Sequence, residues 1–258
     1  MSRNRNTQLI PVIDLMGGRV VHAIAGDRKQ YRPFRESRFT MESVPEMARQ
    51  MIDRYAPRYF YLADLDAIEK KPDNRDLLSD LLELPVHWLL DPGFETASDY
   101  FQFRQGLNAT GSTARWSPVF GSETLVSAAE LAHELRGEIP DVFVSLDILG
   151  GKVLGNAPLE PDRPRESLQT LLNLGFRNLI VLELDAVGVG CSVKDRTIVD
   201  VRACCSGRQI FAGGGIRTSE DLGPVLNNGF SGALVSSALH NGSIPPGILT
   251  SFGDSKVP

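Results

Sequence analysis

Asp14-Leu15-Met16-Gly17-Gly18-Arg19-Val20-Val21 follows the apolar run Leu9-Ile10-Pro11-Val12-Ile13, so a carboxylate stands where that run stops. The pattern recurs at Asp147-Ile148-Leu149-Gly150-Gly151-Lys152-Val153-Leu154, after Val142-Phe143-Val144-Ser145-Leu146. Aspartate matches aspartate, both glycines match, and Arg matches Lys. Three more blocks recur in the same order. Tyr61-Leu62-Ala63-Asp64-Leu65-Asp66-Ala67-Ile68 corresponds to Ile180-Val181-Leu182-Glu183-Leu184-Asp185-Ala186-Val187. Leu90-Asp91-Pro92-Gly93-Phe94-Glu95-Thr96 corresponds to Ala212-Gly213-Gly214-Gly215-Ile216-Arg217-Thr218, and Pro118-Val119-Phe120-Gly121-Ser122 to Ala233-Leu234-Val235-Ser236-Ser237. Ordered self-similarity marks a duplicated unit. The chain reads as two related halves, about 9–135 and 140–240, each with four short apolar runs.

The first run is continuous rather than alternating, as expected of a parallel strand covered on both faces. Strands are expected over 9–13, 59–63, 87–90, 116–120, 142–146, 178–182, 209–212 and 232–235. Helical patterns separate them. Ser43-Val44-Pro45-Glu46 is a strong helix start, with a capping serine and an early proline. Further helices are expected around 74–83, 97–105, 123–135, 166–174, 194–204 and 219–227, the last shortened or kinked by Gly223-Pro224. Strands alternating with helices give a parallel sheet. The length and the paired halves favour a single closed (β/α)8 TIM barrel over residues 1–258, made of two half-barrels. A doubly wound open sheet is the alternative, but it gives no reason for two equivalent halves.

The 27 Lys and Arg residues against 32 Asp and Glu leave a net charge of −5 with no basic tract, which argues against nucleic acid as the main partner. No apolar run approaches a membrane span, and the start of the chain shows no signal-peptide core. Three cysteines, Cys191, Cys204 and Cys205, suit a reducing cytoplasm better than a disulfide framework. No Cys or His cluster has zinc spacing, so no metal is expected.

In such a barrel, the C-terminal strand ends carry the chemistry. Asp14 and Asp147, on strands one and five, would face each other across the mouth, an arrangement suited to proton transfer. The bland alternative has each aspartate accepting N–H groups in its own Gly-Gly turn. Gly213, Gly214 and Gly215 after strand seven, with Ser236 and Ser237 after strand eight, form a candidate phosphate site of backbone N–H groups and hydroxyls. Gly93, Gly121 and Ser122 are the matching substrate-binding candidates in the first half. There, however, Asp91 and Pro92 replace two glycines: proline has no N–H, and the aspartate repels an anion. Phosphate is therefore expected at the second-half turn and not at the first. Arg28, Lys29, Arg32, Arg35 and Arg38 make the loop after Gly26-Asp27 basic, which reads as a solvated loop or a lid that meets an anion.

Ile10-Pro11-Val12-Ile13-Asp14-Leu15, Asp64-Leu65-Asp66, Leu146-Asp147 with Gly150-Gly151, and Gly213 to Thr218 resemble the histidine-biosynthesis barrel family, over roughly Leu9 to His240. Within it the chain resembles the phosphoribosylformimino-aminoimidazole carboxamide ribotide isomerase more than the cyclase subunit of imidazole glycerol phosphate synthase. Gly26-Asp27 matches the isomerase's first loop, and His22 stands where the cyclase has a lysine. The resemblance implies a metal- and cofactor-independent Amadori rearrangement, aminoaldose phosphate to aminoketose phosphate, with Asp14 and Asp147 as the essential carboxylates. It also implies a substrate with a phosphate at each end. Leu182 and Val187-Gly188-Val189 depart from the family's Thr and Asp-Gly-Thr after strand six, so the chain reads as a divergent isomerase. The alternatives are a catalytically silent or re-purposed barrel that binds a mono-phosphorylated metabolite, and a cyclase working with a glutaminase partner.

Overall fold

The computed structural model describes residues 8–72, 74–109, 113–156, 158–189, 197–198 and 200–248. Eight parallel strands close into a barrel: β1 (Gln8–Met16), β4 (Tyr59–Asp64), β5 (His87–Asp91), β6 (Trp116–Gly121), β7 (Phe143–Leu149), β9 (Asn178–Glu183), β10 (Gln209–Gly213) and β11 (Gly232–Val235). Each pairs in parallel with the next, and β11 returns to β1 in the register Gln8↔Gly232 to Pro11↔Val235. With helices around it, this is a (β/α)8 TIM barrel. The remaining strands are short antiparallel returns. β2 (Arg19–His22) folds back on β1 and β8 (Lys152–Val153) on β7, and β3 (Arg32–Pro33) extends β2. Gly17-Gly18 and Gly150-Gly151, all with φ between +59° and +75°, make the two reversals. Both expected Gly-Gly turns therefore exist, in the same backbone conformation.

Inside the barrel, alternate residues point to the axis. Tyr59, Tyr61 and Ala63 of β4 face inward with Leu89, Val119, Phe143, Ile180, Phe211 and Leu234, while Phe60 and Leu62 pack outward beneath the helices. At the N-terminal end, Tyr59, Phe143 and Phe211 form an aromatic triangle with centroids 5.8–5.9 Å apart, and His87 lies edge-on to Tyr59. These rings floor the barrel.

The outer helices are α1 (Val44–Tyr55), α2 (Leu65–Ile68), α3 (Arg75–Leu82), α4 (Ala97–Ala109), α5 (Ala128–Glu134), α6 (Pro164–Asn173), α7 (Leu222–Asn227) and α8 (Ser237–His240). Ser43 caps α1 as expected, accepting the Glu46 N–H. Two helices differ from the sequence reading. The helix expected over 123–135 begins only at Ala128, because Ser127 caps it and the preceding residues are tied to the barrel mouth: the Val126 N–H donates to the Glu95 carbonyl and the Glu123 N–H to Asp147. The start of the helix expected over 194–204 lies outside the described residues, as does Cys191. Its described end is turn rather than helix. Val201 N–H bonds the Asn228 carbonyl and Asp200 captures Arg202 N–H, competing with a helical ladder. Pro224 does shorten the last expected helix, which starts as a 3-10 turn over 219–221.

Candidate active site

The cavity at the C-terminal mouth is lined by Asp14, Asp91, Asp147, Arg28, Glu123 and Ser236, among others. Asp14 comes from β1, Asp91 ends β5 and Asp147 sits in β7. The two aspartates read from the sequence as an opposed pair therefore share one cavity, and a third aspartate, Asp91, and Glu123 join them.

The Gly-Gly turn after β1 does not engage Asp14. Gly17 N–H donates to Asp66 Oδ2 at 2.6 Å and Gly18 N–H to Asn74 Oδ1 at 3.0 Å. Buried Asp64 holds Asn74 in turn, accepting its N–H at 3.0 Å and its side-chain amide at 2.7 Å. Asp64 and Asp66 thus brace the first turn from the neighbouring strand, and no hydrogen bond among the described residues reaches the Asp14 carboxylate. Asp147 is held instead. Ser145 Oγ donates to its Oδ1 at 2.6 Å, Glu123 N–H to its Oδ2 at 3.1 Å, and its own N–H bonds Ser122 Oγ at 2.9 Å. Asp91 accepts from the Tyr61 hydroxyl at 2.9 Å and from Gly93 N–H at 3.1 Å. Gly121 leaves room between the last two: a methyl there would stand 3.0 Å from Asp147 Oδ2 and 3.5 Å from Asp91 Oδ2.

Burial raises the Asp14 carboxyl to about 7; the Asp91 charge adds to the rise and Arg28 opposes it. Burial likewise raises Asp147 to about 7, against the Ser145 hydrogen bond and with Asp91. Asp91, also raised by burial, reaches only about 6 because Gly93 N–H and the Tyr61 hydroxyl stabilise its charge. All three bind protons more tightly in the folded chain than in the unfolded one. Their contribution to stability is therefore full below about pH 4 and is lost as pH rises through 6 to 7. Thermal melts should show Tm falling between pH 5 and pH 8, with a flatter dependence in Asp147→Asn. A Tm independent of pH over that range would contradict the electrostatics of the cluster.

Arg28, from the basic loop, reaches the mouth and pairs with Glu123 at 2.7 Å, joining the first loop to the loop after β6. The other candidates fall into two groups. Gly214 (φ +86°) and Gly215 (φ +75°) turn the chain after β10, and a Cβ on Gly214 would stand 2.3 Å from the Glu183 carbonyl oxygen, so packing as well as φ requires glycine. Gly213 ends β10, Ser236 lines the cavity and Ser237 opens α8. Among the described residues, no hydrogen bond takes the N–H of Gly215, Ser236 or Ser237. Gly93, Gly121 and Ser122 are buried: the Gly93 N–H goes to the Asp91 carboxylate, Ser122 bonds the backbone of Asp147 and Ser145, and the Gly121 carbonyl accepts the Thr124 and Leu125 N–H groups. Leu182 and Val187 put apolar walls on the cavity where the family resemblance implies polar groups.

Tyr61 and Glu123 were not singled out from the sequence. Inward alternation along β4 would have placed Tyr61 on the barrel's inner face, but its meeting with Asp91 depends on the register Ala63↔Asp91. Nothing in the composition of Ser122-Glu123-Thr124 indicates that Glu123 meets Arg28.

A family model described as histidine biosynthesis protein matches residues 8–245. The chain belongs to that family. An uncharacterized protein of Methanocaldococcus jannaschii is 29% identical over 251 residues, covering 96% of this chain and 100% of that one. A phosphoribosyl imidazole-4-carboxamide isomerase of Deinococcus radiodurans is 29% identical over 243 residues, covering 92% and 95%. Its counterpart in Gloeothece citriformis is 27% identical over 250 residues, covering 92% and 89%. This histidine-biosynthesis barrel is thus a divergent member, as similar to a relative of unassigned role as to named isomerases. No helix among the described residues is long and apolar enough to cross a membrane.

Proposed function

We propose that the protein is an aldose–ketose isomerase of the histidine-biosynthesis type, which carries out an Amadori rearrangement on a phosphorylated ribotide or sugar. The observation that carries this reading is the presence of Asp14 and Asp147 on one cavity, both shifted to about 7. At that value the pair holds both an acid and a base near neutral pH, each of them also raised by the Asp91 charge. The acid protonates the ring oxygen as the C1–O bond opens and nitrogen forms C1=N. The base removes the C2 proton to give the enolamine. Reprotonation at C1 by the acid so formed, with loss of the C2 hydroxyl proton to the other carboxylate, leaves the ketose and restores both groups. The rearrangement is redox-neutral and internal to the substrate, so it needs no metal or cofactor. Gly214, Gly215, Ser236 and Ser237 hold a phosphate of the substrate through N–H groups and hydroxyls.

Leu182 and Val187 favour the second reading, a silent barrel that binds a phosphorylated metabolite without turning it over. The cyclase reading has less support: the aromatic floor of Tyr59, Phe143 and Phe211 fills the axis that ammonia from a glutaminase would need to follow. The test is an assay of the purified protein with an N-linked aminoaldose phosphate, following the aminoketose product by NMR. Conversion supports the isomerase; binding without conversion replaces it with the silent barrel.

A further inference from the structure

The two turns that could hold the ends of a substrate differ in what their donors do. After β5 and β6 the backbone donors of Gly93, Ser122 and Glu123 are spent. Gly93 N–H goes to Asp91 at 3.1 Å, Ser122 N–H to the Ser145 carbonyl at 2.8 Å, and Glu123 N–H to Asp147 at 3.1 Å. Pro92 has no N–H. The Ser122 hydroxyl accepts from the backbone of Asp147 at 2.9 Å. Gly93 is also closed in sterically, since a methyl on it would stand 2.8 Å from the Ile68 Cα. The space a phosphate would need is bordered by the Asp91 carboxylate, which the Tyr61 hydroxyl holds at 2.9 Å. Arg28, the cation at that rim, is already paired with Glu123. On the same turn Glu95, paired with Lys70 at 2.9 Å, stands where the repeat has Arg217. After β10 and β11, by contrast, the Gly215, Ser236 and Ser237 N–H groups have no partner among the described residues.

We infer that Asp91 is a specificity-determining residue: with Tyr61 and Gly93 it fills the first-half anion pocket and restricts the enzyme to substrates with one phosphate, whose other end is neutral or cationic. The inference rests on the isomerase reading for the orientation of the substrate across the cavity. An ionised carboxylate at that place repels a second phosphate, and its own hydrogen bonds remove the donors that would compensate. The far end of the substrate instead meets a carboxylate and a phenol, which accept hydroxyl and amine protons.

The test compares ribulose 5-phosphate with ribulose 1,5-bisphosphate by calorimetry on the full chain. The wild type should bind the mono-phosphate at least about tenfold more tightly. Asp91→Gly with Pro92→Gly should raise affinity for the bis-phosphate about tenfold and weaken the mono-phosphate, whose far end loses the carboxylate that accepts from it, so the preference reverses. Asp91→Asn, of the same shape, should move the ratio in the same direction if the double variant fails to fold. Crystals soaked in inorganic phosphate should show it at the Gly215–Ser236 turn and not at Gly93–Ser122. Equal affinity for the two sugars, a ratio unmoved by both variants, or phosphate at the first turn overturns the inference, as does failure of both sugars and of phosphate to bind. Failure of the isomerase reading looks different: the tenfold preference stands while the wild type converts no aminoaldose phosphate.

Discussion

Turnover of an aminoaldose phosphate should fall about 10²- to 10⁴-fold when either Asp14 or Asp147 becomes Asn, the usual contribution of a positioned acid or base. Asparagine keeps the shape of each side chain and removes only its proton traffic. Asp147 is fixed by Ser145, Glu123 and its own N–H bond to Ser122, so the amide should be held in the same place. Binding of a phosphorylated ligand should therefore survive, and the loss should appear in kcat rather than KM. Because these carboxyls resist ionisation when buried, both variants should melt no lower than the wild type at pH 8. The double variant should lose little beyond the worse single one, since the two groups act as a unit. Activity that persists in both single variants would remove the pair from the mechanism and leave the silent barrel.

The largest expected effect on stability lies at the barrel seam. Gly232 opens β11 opposite Gln8 of β1, and a methyl on it would stand 2.2 Å from the Gln8 carbonyl oxygen and 2.8 Å from its Cβ. The clash is with backbone, so no rotamer relieves it. Just beside it, the Gln8 N–H donates to the Ser231 carbonyl at 2.9 Å. Gly232→Ala must part the strands that close the cylinder, and overpacking of this kind costs about 1–3 kcal/mol or more. For a chain of this size each kcal/mol lowers Tm by roughly 2–4 °C. Gly106 provides the control. It sits exposed in α4, where an added methyl would meet nothing within 4 Å, and Gly106→Ala should stabilise the helix by about 0.5–1 kcal/mol. Differential scanning calorimetry on the two variants reads both signs; a neutral Gly232→Ala would mean that the seam relaxes at no cost.

All eight barrel strands were legible because each is a short, mostly apolar run set between helical patterns, and β11 matches its expected bounds of 232–235. β1 and β7 extend past their expected ends, to Met16 and Leu149, because their aspartates lie within the strand and the return strands pair with the residues beyond them. Asp14 and Asp147 were visible as a repeated motif. Asp91 was visible only as a defect in a glycine turn. Its partnership with Tyr61 depends on two neighbouring strands being in the register Ala63↔Asp91, which pairing sets and sequence order does not. Arg28 and Glu123 meet across 95 positions, between loops whose paths no local pattern specifies. The roles of Asp64, Asp66 and Asn74 were hidden for a similar reason, since their hydrogen bonds hold the neighbouring strand's turn.

The floor of Tyr59, Phe143 and Phe211 has a kinetic consequence. It makes the barrel a blind vessel, so product leaves by the opening through which substrate arrived, past the Arg28–Glu123 bridge. Arrival and departure then compete for one doorway. Accumulated product should act as a competitive inhibitor.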